Sequence, residues 1–341
     1  MNFFRKLLFP FAVLYGFVTS VRNYLYDKGI FKSHTFDIPI IAVGNLSVGG
    51  TGKTPQIEYL IRLLSNQYKL ATLSRGYKRK SKGFVLADAD SNAAVLGDEP
   101  YQFYKKFPEI QVAVDANRVN GITQLLSQKV KPEVILLDDA FQHRKVKAGF
   151  YIMLTAYDDL YCDDLMLPAG NLRESRAGVE RADVVIVTKC PPQLTLMQQK
   201  EIKTRLRLKS RQQLFFTFIA YDGFVYSEEK RIPTEELATV DKLLLAGIAK
   251  PESFFAYLQA AQNATMVFPD HHDFTQQDLE KIKEKATNKI IITTEKDYVR
   301  LKGKLPKEQL FYLPIKTSFL SNQEDFDKTI LDYVGTSTAN G

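Results

Sequence analysis

The sequence is poor in cysteine and histidine and has no tryptophan. Of its 341 residues two are cysteine, Cys162 and Cys190, and four are histidine. The cysteines form no CxxC pair and have no His/Cys cluster beside them, so a disulfide framework and a structural zinc site are not expected. Disorder and a collagen-like chain are excluded because 45% of the residues are hydrophobic and 25% are charged. The sparse cysteine fits a reducing cytosol.

The charge balance excludes little. Lys and Arg total 46 and Asp and Glu total 39, which gives a net charge of +7. Such an excess is compatible with nucleic acid, a phospholipid surface or a phosphorylated substrate, and does not choose among them. At about 150 residues per domain, the length predicts two domains.

A long membrane-spanning run is also missing. The apolar stretch at residues 7–21 is shorter than the ~18 or more apolar residues that a bilayer span needs. Arg5 and Lys6 precede it as in a signal peptide, but no small-x-small cleavage site follows. Two interpretations stay open. The stretch is either a helix in the membrane interface, with Arg5, Lys6, Arg22 and Lys28 reaching lipid phosphates, or a helix packed on its own domain.

Apolar runs of strand length alternate with helical patterns along most of the chain. This alternation predicts an α/β fold with a mainly parallel sheet and helices on both faces. The runs are apolar throughout, as expected for strands buried on both sides. A long β-rich run around Gln212–Ala220 is followed by the polar stretch Tyr221–Leu237, which marks a boundary before a second, smaller α/β set. The predicted divisions are an N-terminal helix at 1–28, a main domain at 29–215, a smaller domain at 216–320, and a C-terminal helix with a disordered tail at 321–341.

The strongest chemical signal is the turn after the first predicted strand. The segment SVGGTGKT matches a P-loop except at its first position, where the pattern has glycine. Its glycines let the backbone aim N–H groups at phosphate oxygens, and the helix that follows adds partial positive charge. The lysine would bridge the β- and γ-phosphates of ATP, and the threonine hydroxyl would bind Mg²⁺. The predicted phosphate-binding residues are Ser47, Val48, Gly49, Gly50, Thr51, Gly52, Lys53 and Thr54.

A P-loop calls for a second strand that ends in an acid near the metal ion. The run VILLDD supplies it, because its four apolar residues predict a buried strand and Asp138 and Asp139 follow at the carboxyl end. If the strand persists, the two side chains point to opposite sides. One of them can then face Mg²⁺ while the other orients neighbouring groups.

Other acids and histidines admit two interpretations each. Asp98 and Glu99 open a predicted helix, where an acid is a cap, a general base or a metal ligand. His271 and His272 lie in the run DHHD, which is a solvated loop or part of an acid–base pair.

Three further charged residues also stay open. Arg75 begins a basic stretch that either holds a phosphate or is a solvated loop. Arg173 and Glu174 form either a surface ion pair or part of a cleft.

A series of motifs resembles one family. They occur in the order GNLSVGGTGKTP, SRGY, LGDEP, DDAFQHR, LPAGNLRES, VIVTK, AGIAKPESFF, FPDHHDF and TTEKDYVRL. Together they resemble the tetraacyldisaccharide 4′-kinases of lipid A biosynthesis over nearly the whole chain, and Ser47 is typical of that family. The sequence departs from the family pattern at Lys78, Ala140, Asn171 and Ala249, positions that concern loop geometry and substrate contacts.

The resemblance implies roles for individual residues. Asp98 would take the proton of the acceptor hydroxyl with His271 as its partner, brought together by closure of two domains, while His272 faces outward. Glu99, Asp138 and Asp139 would hold or orient Mg²⁺ together with Thr54. Arg75 is assigned to substrate binding, as are Arg173 and Glu174, which would line the active-site cleft.

The resemblance also implies a substrate and a location. The chain would be a P-loop kinase that uses ATP and Mg²⁺ to phosphorylate the 4′-hydroxyl of an acylated glucosamine disaccharide 1-phosphate. It would sit peripherally on the cytoplasmic face of the bacterial inner membrane, with no nucleic acid and no obligate protein partner. Two rivals remain: a soluble P-loop ligase of the dethiobiotin type, and a non-catalytic, nucleotide-gated scaffold at the membrane.

Overall fold

The computed structural model describes residues 5, 7–249, 251–258, 264–270 and 272–339. The chain divides into two compact units. The first comprises residues 1–219 and 317–341, and the second comprises residues 220–316.

A nine-stranded sheet forms the centre of the first unit, with the strand order β15-β8-β7-β6-β1-β5-β2-β4-β3. The pairs from β8 to β4 are parallel, and β3 is antiparallel to β4. Numbered in chain order, its strands are β1 (Ile40–Asn45), β2 (Leu70–Ser74), β3 (Val85–Leu86), β4 (Gln111–Val114), β5 (Val134–Asp138), β6 (Phe150–Ala156), β7 (Val184–Thr188), β8 (Gln213–Tyr221) and β15 (Ile315–Phe319).

Helices cover both faces of this sheet, which confirms the predicted fold class. They are α1 (Phe9–Asp27), α2 (Lys53–Leu64), α3 (Ala93–Leu96), α4 (Asp98–Lys106), α5 (Arg118–Leu126), α6 (Leu196–Leu206) and α10 (Gln323–Ala339). Alternate residues of β1 face opposite layers: Ile41 packs in the cluster with α2, and Ile40 packs in the cluster with α5. The strand is therefore buried on both sides, which explains its unbroken apolar sequence.

The second unit is a smaller α/β structure around a six-stranded sheet of order β10-β9-β14-β13-β11-β12. Strands β11 to β14 pair in parallel, and β9 is antiparallel to its neighbours. Its elements are β9 (Phe224–Tyr226), β10 (Arg231–Pro233), β11 (Lys242–Ala246), α7 (Glu252–Tyr257), β12 (Ala264–Val267), α8 (Gln276–Lys285), β13 (Ile290–Thr294), α9 (Glu295–Leu301) and β14 (Leu310–Leu313).

The last helix returns to the first unit. Helix α10 continues to Ala339, so it includes part of the tail that was expected to be disordered. It buries Phe326, Ile330 and Val334 in the same core cluster as α2. These residues recur every four positions and therefore share one face of the helix.

Helix α1 lies on the first unit by one face only. Its most buried side chains are Ala12 and Thr19, while most of its Phe, Leu and Val side chains are exposed. Arg22, expected to reach lipid phosphates, instead donates a hydrogen bond to the backbone carbonyl of Gln142. No helix among the described residues is long and apolar enough to cross a membrane.

Candidate active site

The predicted phosphate-binding segment Ser47–Thr54, called the phosphate loop from here on, connects β1 to α2 at the carboxyl edge of the large sheet. Gly49 and Gly52 have positive φ angles of 118° and 85°, which side chains with a Cβ rarely adopt. They allow the tight turn that ends at Lys53, the first residue of α2. Thr188, at the end of β7, donates its hydroxyl to the carbonyl of Thr51 over 2.8 Å and fixes the loop from the side. Thr54 lies half-buried in the first turn of the helix.

Asp138 lies at the carboxyl end of β5, in register with Val43 of the neighbouring β1. Its Oδ2 accepts a long hydrogen bond of 3.3 Å from the hydroxyl of Ser74, at the end of β2. Its Oδ1 is buried and has no hydrogen-bond partner among the described residues. Burial, together with the nearby charge of Asp139, raises the pKa of Asp138 to about 6. A buried carboxyl oxygen of Asp138 beside the phosphate loop is therefore left without a hydrogen-bond partner among the described residues.

Asp139 has a different environment. Its φ of 49° turns the chain out of the strand, so its side chain does not continue the alternation of β5. Arg173 donates to both of its carboxylate oxygens, over 3.1 and 2.8 Å, and Lys53 Nζ lies 3.6 Å from Oδ1. Burial alone would raise the pKa of Asp139, but the Lys53 and Arg173 charges outweigh it and lower that pKa to about 2. The pKa values of these two adjacent carboxyl groups are therefore shifted in opposite directions.

Asn45 connects these groups. Its side-chain Oδ1 accepts hydrogen bonds from Lys53 Nζ over 3.3 Å and from Arg173 over 2.6 Å. Its backbone carbonyl accepts another from Arg173 over 3.0 Å. The two cations, Asp139 and the start of the phosphate loop therefore form one polar cluster in the first unit.

Arg118 is a functional candidate that the sequence reasoning missed. It is only 2% exposed and donates to the backbone carbonyls of Asp115 and Asp138, the latter over 3.1 Å. Burial lowers the pKa of the Arg118 guanidinium to about 10, although the charges of Asp138 and Asp139 act to raise it. A buried arginine behind two acids offsets their mutual repulsion. The sequence around Arg118 does not indicate that this residue is buried, because an arginine at the start of a helix is usually exposed.

Glu99 and Asp98 start α4, which begins after Gly97. The charge of Glu99 contributes to the raised pKa of Asp138, so Glu99 lies within electrostatic reach of that carboxyl group. Asp98 is half-buried. A Cβ on Gly97 would lie 3.1 Å from the carbonyl of Tyr77, so the loop of the SRGY motif contacts the start of this helix closely.

The predicted substrate residues fall in different settings. Arg75 is exposed just beyond the carboxyl end of β2, whereas Arg173 lies in the polar cluster. Glu174 is 2% exposed, and its carboxylate oxygens accept hydrogen bonds from Asn23, Gln142 and Arg181. The carboxylate of Glu174 is therefore engaged inside the first unit.

His272 belongs to the second unit, and His271 lies outside the described residues. His272 was expected to face outward as a loop residue. It does lie in a loop, but its side chain makes specific contacts instead of facing outward. Its Nε2 lies 2.9 Å from Asp278 Oδ2, and its ring stacks on Phe268 with 5.0 Å between ring centres. Helix α8 begins beside it, and Thr275 and Asp278 form the capping box there. His272 is thus part of a helix start.

The residues present fit Mg²⁺. No group of three or more His, Cys, Asp or Glu side chains within the described part of the chain forms a metal cage. Mg²⁺ commonly binds one or two carboxylates and takes its remaining ligands from water and substrate phosphates. The unsatisfied, buried Asp138 Oδ1 is a hard oxygen ligand of that kind.

Comparison with known proteins now decides the family. The family model for tetraacyldisaccharide-1-P 4′-kinase, LpxK, matches residues 4–335. This chain belongs to that family. The resemblance drawn from the motifs is therefore confirmed.

Relatives within the LpxK family match over almost their whole length. A Flavobacterium johnsoniae protein named tetraacyldisaccharide 4′-kinase is 66% identical over 334 residues, covering 98% of each chain. A Phocaeicola vulgatus protein of the same name is 46% identical, covering 98% of this chain and 96% of the relative. The solved structure of LpxK from Aquifex aeolicus in complex with ATP matches with a TM-score of 0.78 at 32% identity, covering 97% and 99% of the two chains.

Proposed function

We propose that this LpxK-family chain transfers the γ-phosphoryl group of ATP to the 4′-hydroxyl of a tetraacylated glucosamine disaccharide 1-phosphate in lipid A biosynthesis. The observation that carries the proposal is the polar cluster at the phosphate loop. Lys53 and Arg173 converge there on Asp139, with the unsatisfied Oδ1 of Asp138 beside them. Such a site provides positioning and charge stabilisation, which are most of what phosphoryl transfer needs from a protein.

The donor side follows from the chemistry of these groups. Backbone N–H groups of Ser47–Thr54 would hold the phosphates, with Lys53 moving from Asp139 to the β- and γ-oxygens. Thr54, Glu99, Asp138 and Asp139 would hold or orient Mg²⁺. When bound, that ion would supply positive charge that stabilises the phosphates during transfer. Arg118, buried behind the acids, keeps both carboxylates compatible with one site.

The acceptor side is assigned to Asp98 and His271. Asp98 opens α4 next to the loop of the SRGY motif, where its carboxylate would take the hydroxyl proton. His271 would share that proton and raise the basicity of the pair. Arg75 and Arg173 would bind anionic groups of the substrate, since guanidinium groups pair well with phosphate oxygens.

Helix α1 is the proposed site of attachment to the membrane, on the cytoplasmic face that the family resemblance implies. Along its outer face Phe11, Leu14, Phe17 and Val18 are exposed, with Phe17 at 66%. An exposed apolar surface on a helix with cationic flanks is typical of interfacial attachment. A substrate with several acyl chains resists leaving the bilayer, at about 0.8 kcal/mol per buried CH₂, so the enzyme must approach it there.

Acceptor-dependent ADP release tests the proposal. The measurement is ATP turnover with and without a detergent-dispersed tetraacyldisaccharide 1-phosphate. A lipid kinase shows a large increase on adding the acceptor. A nucleotide-gated scaffold shows none, and a soluble ligase shows none with this lipid. Turnover that is unchanged by the acceptor would contradict the proposal.

A further inference from the structure

The backbone of the segment Asn171–Glu174 pairs with the backbone at the start of the phosphate loop. The amide of Val48 donates to the carbonyl of Asn171 over 2.8 Å, and the amide of Arg173 donates to the carbonyl of Leu46 over 2.7 Å. Between these bonds Ser47 and Leu172 form an antiparallel bridge. The first half of the phosphate loop is therefore held by a segment that carries Arg173.

The inner face of α1 holds this segment in turn. Tyr15 Oη donates to the backbone carbonyl of Arg173 over 2.9 Å. Asn23 Nδ2 donates to Glu174 Oε2 over 2.8 Å. These residues are eight positions apart and share one helical face, opposite the exposed apolar face. These two contacts of α1 therefore end on the segment that braces the phosphate loop, one on its backbone and one on the Glu174 side chain.

The Glu174 carboxylate provides a second connection between α1 and the start of the phosphate loop. Gln142 Nε2 donates to Glu174 Oε1 and to the carbonyl of Asn45, each over 2.8 Å. Arg181 donates to both oxygens of Glu174 over 2.8 Å, which balances its charge in a buried site. A carboxylate with this many partners fixes the positions of all of them.

We propose that Tyr15, Asn23 and Glu174 are positioning residues that set ATP affinity by holding the segment Asn171–Glu174 against the phosphate loop. Helix α1 then has two functions on two faces: its apolar face attaches to lipid, and its polar face shapes the nucleotide site. The inference rests on the proposed function in one respect, namely that Ser47–Thr54 bind the phosphates of ATP. It does not depend on membrane attachment.

Substitutions on α1 test the inference without removing a buried charge. Tyr15→Phe removes the hydroxyl that holds Arg173, and Asn23→Ala removes the amide that holds Glu174. Each should weaken ATP binding about 3- to 10-fold, the usual effect of one lost hydrogen bond, and the double variant at least about 10-fold. KM for ATP should rise while kcat at saturating ATP stays within about threefold, because binding rather than chemistry is affected.

Controls separate positioning from loss of structure and from lipid attachment. Tyr24→Phe makes the same chemical change at an exposed tyrosine of α1 and should leave ATP affinity within about twofold of wild type. Phe17→Ser should lower co-sedimentation with anionic phospholipid vesicles and leave ATP affinity unchanged. Thermal unfolding of all variants shows whether the fold is retained.

The outcomes distinguish the inference from the proposed function. Weak ATP binding by a folded Tyr15→Phe/Asn23→Ala variant, with normal vesicle binding, supports the positioning role. ATP binding within twofold of wild type in that variant overturns it, and the proposed function stands if Lys53→Ala still weakens ATP binding at least tenfold. If Lys53→Ala also leaves ATP binding unchanged, the phosphate loop is not the nucleotide site and both fail.

Discussion

Arg173 contacts both carboxylate oxygens of Asp139, over 2.8 and 3.1 Å, and at the same time reaches Asn45 Oδ1 over 2.6 Å. The two residues are 34 positions apart in sequence. Asp139 directly follows β5, and Arg173 belongs to the segment that pairs with the phosphate loop. This pair therefore connects the end of β5 to the segment that braces the phosphate loop.

Replacing Arg173 by lysine should lower kcat/KM for ATP about 10- to 100-fold. Lysine keeps the charge but cannot make two parallel hydrogen bonds to Asp139 and also reach Asn45. Arg176→Lys is the matched control, because Arg176 contacts only the backbone carbonyl of Asp164 in the hydrogen bonds found for it. Equal activity of the two variants in steady-state kinetics would show that the pair has no role.

The phosphate loop itself is tested by Lys53→Ala and Thr54→Ala. The first removes the cation and the second a hydroxyl ligand for Mg²⁺. Loss of one preorganised charge contact of this kind costs about 3 kcal/mol or more in the transition state, so turnover should fall at least ~100-fold. Lys129→Ala, at an exposed loop position, serves as the control. Activity within a few-fold of wild type in the first two variants would exclude this loop as the phosphate site.

Asp98 and His271 should act as one unit. Asp98→Ala and His271→Ala should each lower kcat about 100-fold or more with little change in ATP affinity. The double variant should be scarcely slower than either single variant, because removing one member already disables the pair. His272→Ala should be mild in activity. Losses that multiply in the double variant would mean that the two residues work independently.

His143 should make stability depend on pH. Burial, followed by the charges of Arg118, Lys145, Arg22 and Arg75, lowers its pKa from 6.5 to about 4. The unfolded chain therefore binds more protons at this residue between pH 4 and 6.5, and its contribution to stability is complete above 6.5 and is lost as the pH falls.

The contribution of His143 is isolated by comparison with His143→Gln. Asp138 titrates in the same range with the opposite sign, because its folded pKa is raised to about 6, so the wild-type curve alone does not separate the two. Denaturant unfolding of both proteins from pH 4 to 7 should show a difference in stability that shrinks as the pH is lowered. A difference that is constant over this range would contradict the assigned cause.

Local sequence patterns predicted the fold class and the candidate donor residues. The P-loop glycines and the VILLDD strand are short-range features whose chemistry is tied to their spacing, and their strands are neighbours in the sheet. The return of α10 to the first unit was not predicted, because it depends on packing between residues far apart in sequence. The same holds for Arg118, Asn45 and Thr188, whose partners are supplied by other loops.

Glu174 shows the limit most clearly. In the sequence it is an acid beside an arginine, which is compatible with a surface ion pair or a cleft residue. In the structure it is buried and joins α1, Gln142 and Arg181. Such a role depends on three separate elements meeting at one point, and no spacing in the sequence encodes that meeting.

The position of the transferred phosphate tests the central claim most directly. The purified chain is incubated with ATP, Mg²⁺ and a tetraacyldisaccharide 1-phosphate in mixed micelles, and the lipid product is examined by mass spectrometry and ³¹P NMR. The account predicts one added phosphate, located at the 4′-oxygen, and no product from a 4′-deoxy acceptor. ATP hydrolysis without a phosphorylated lipid, or phosphate at another position, would contradict it.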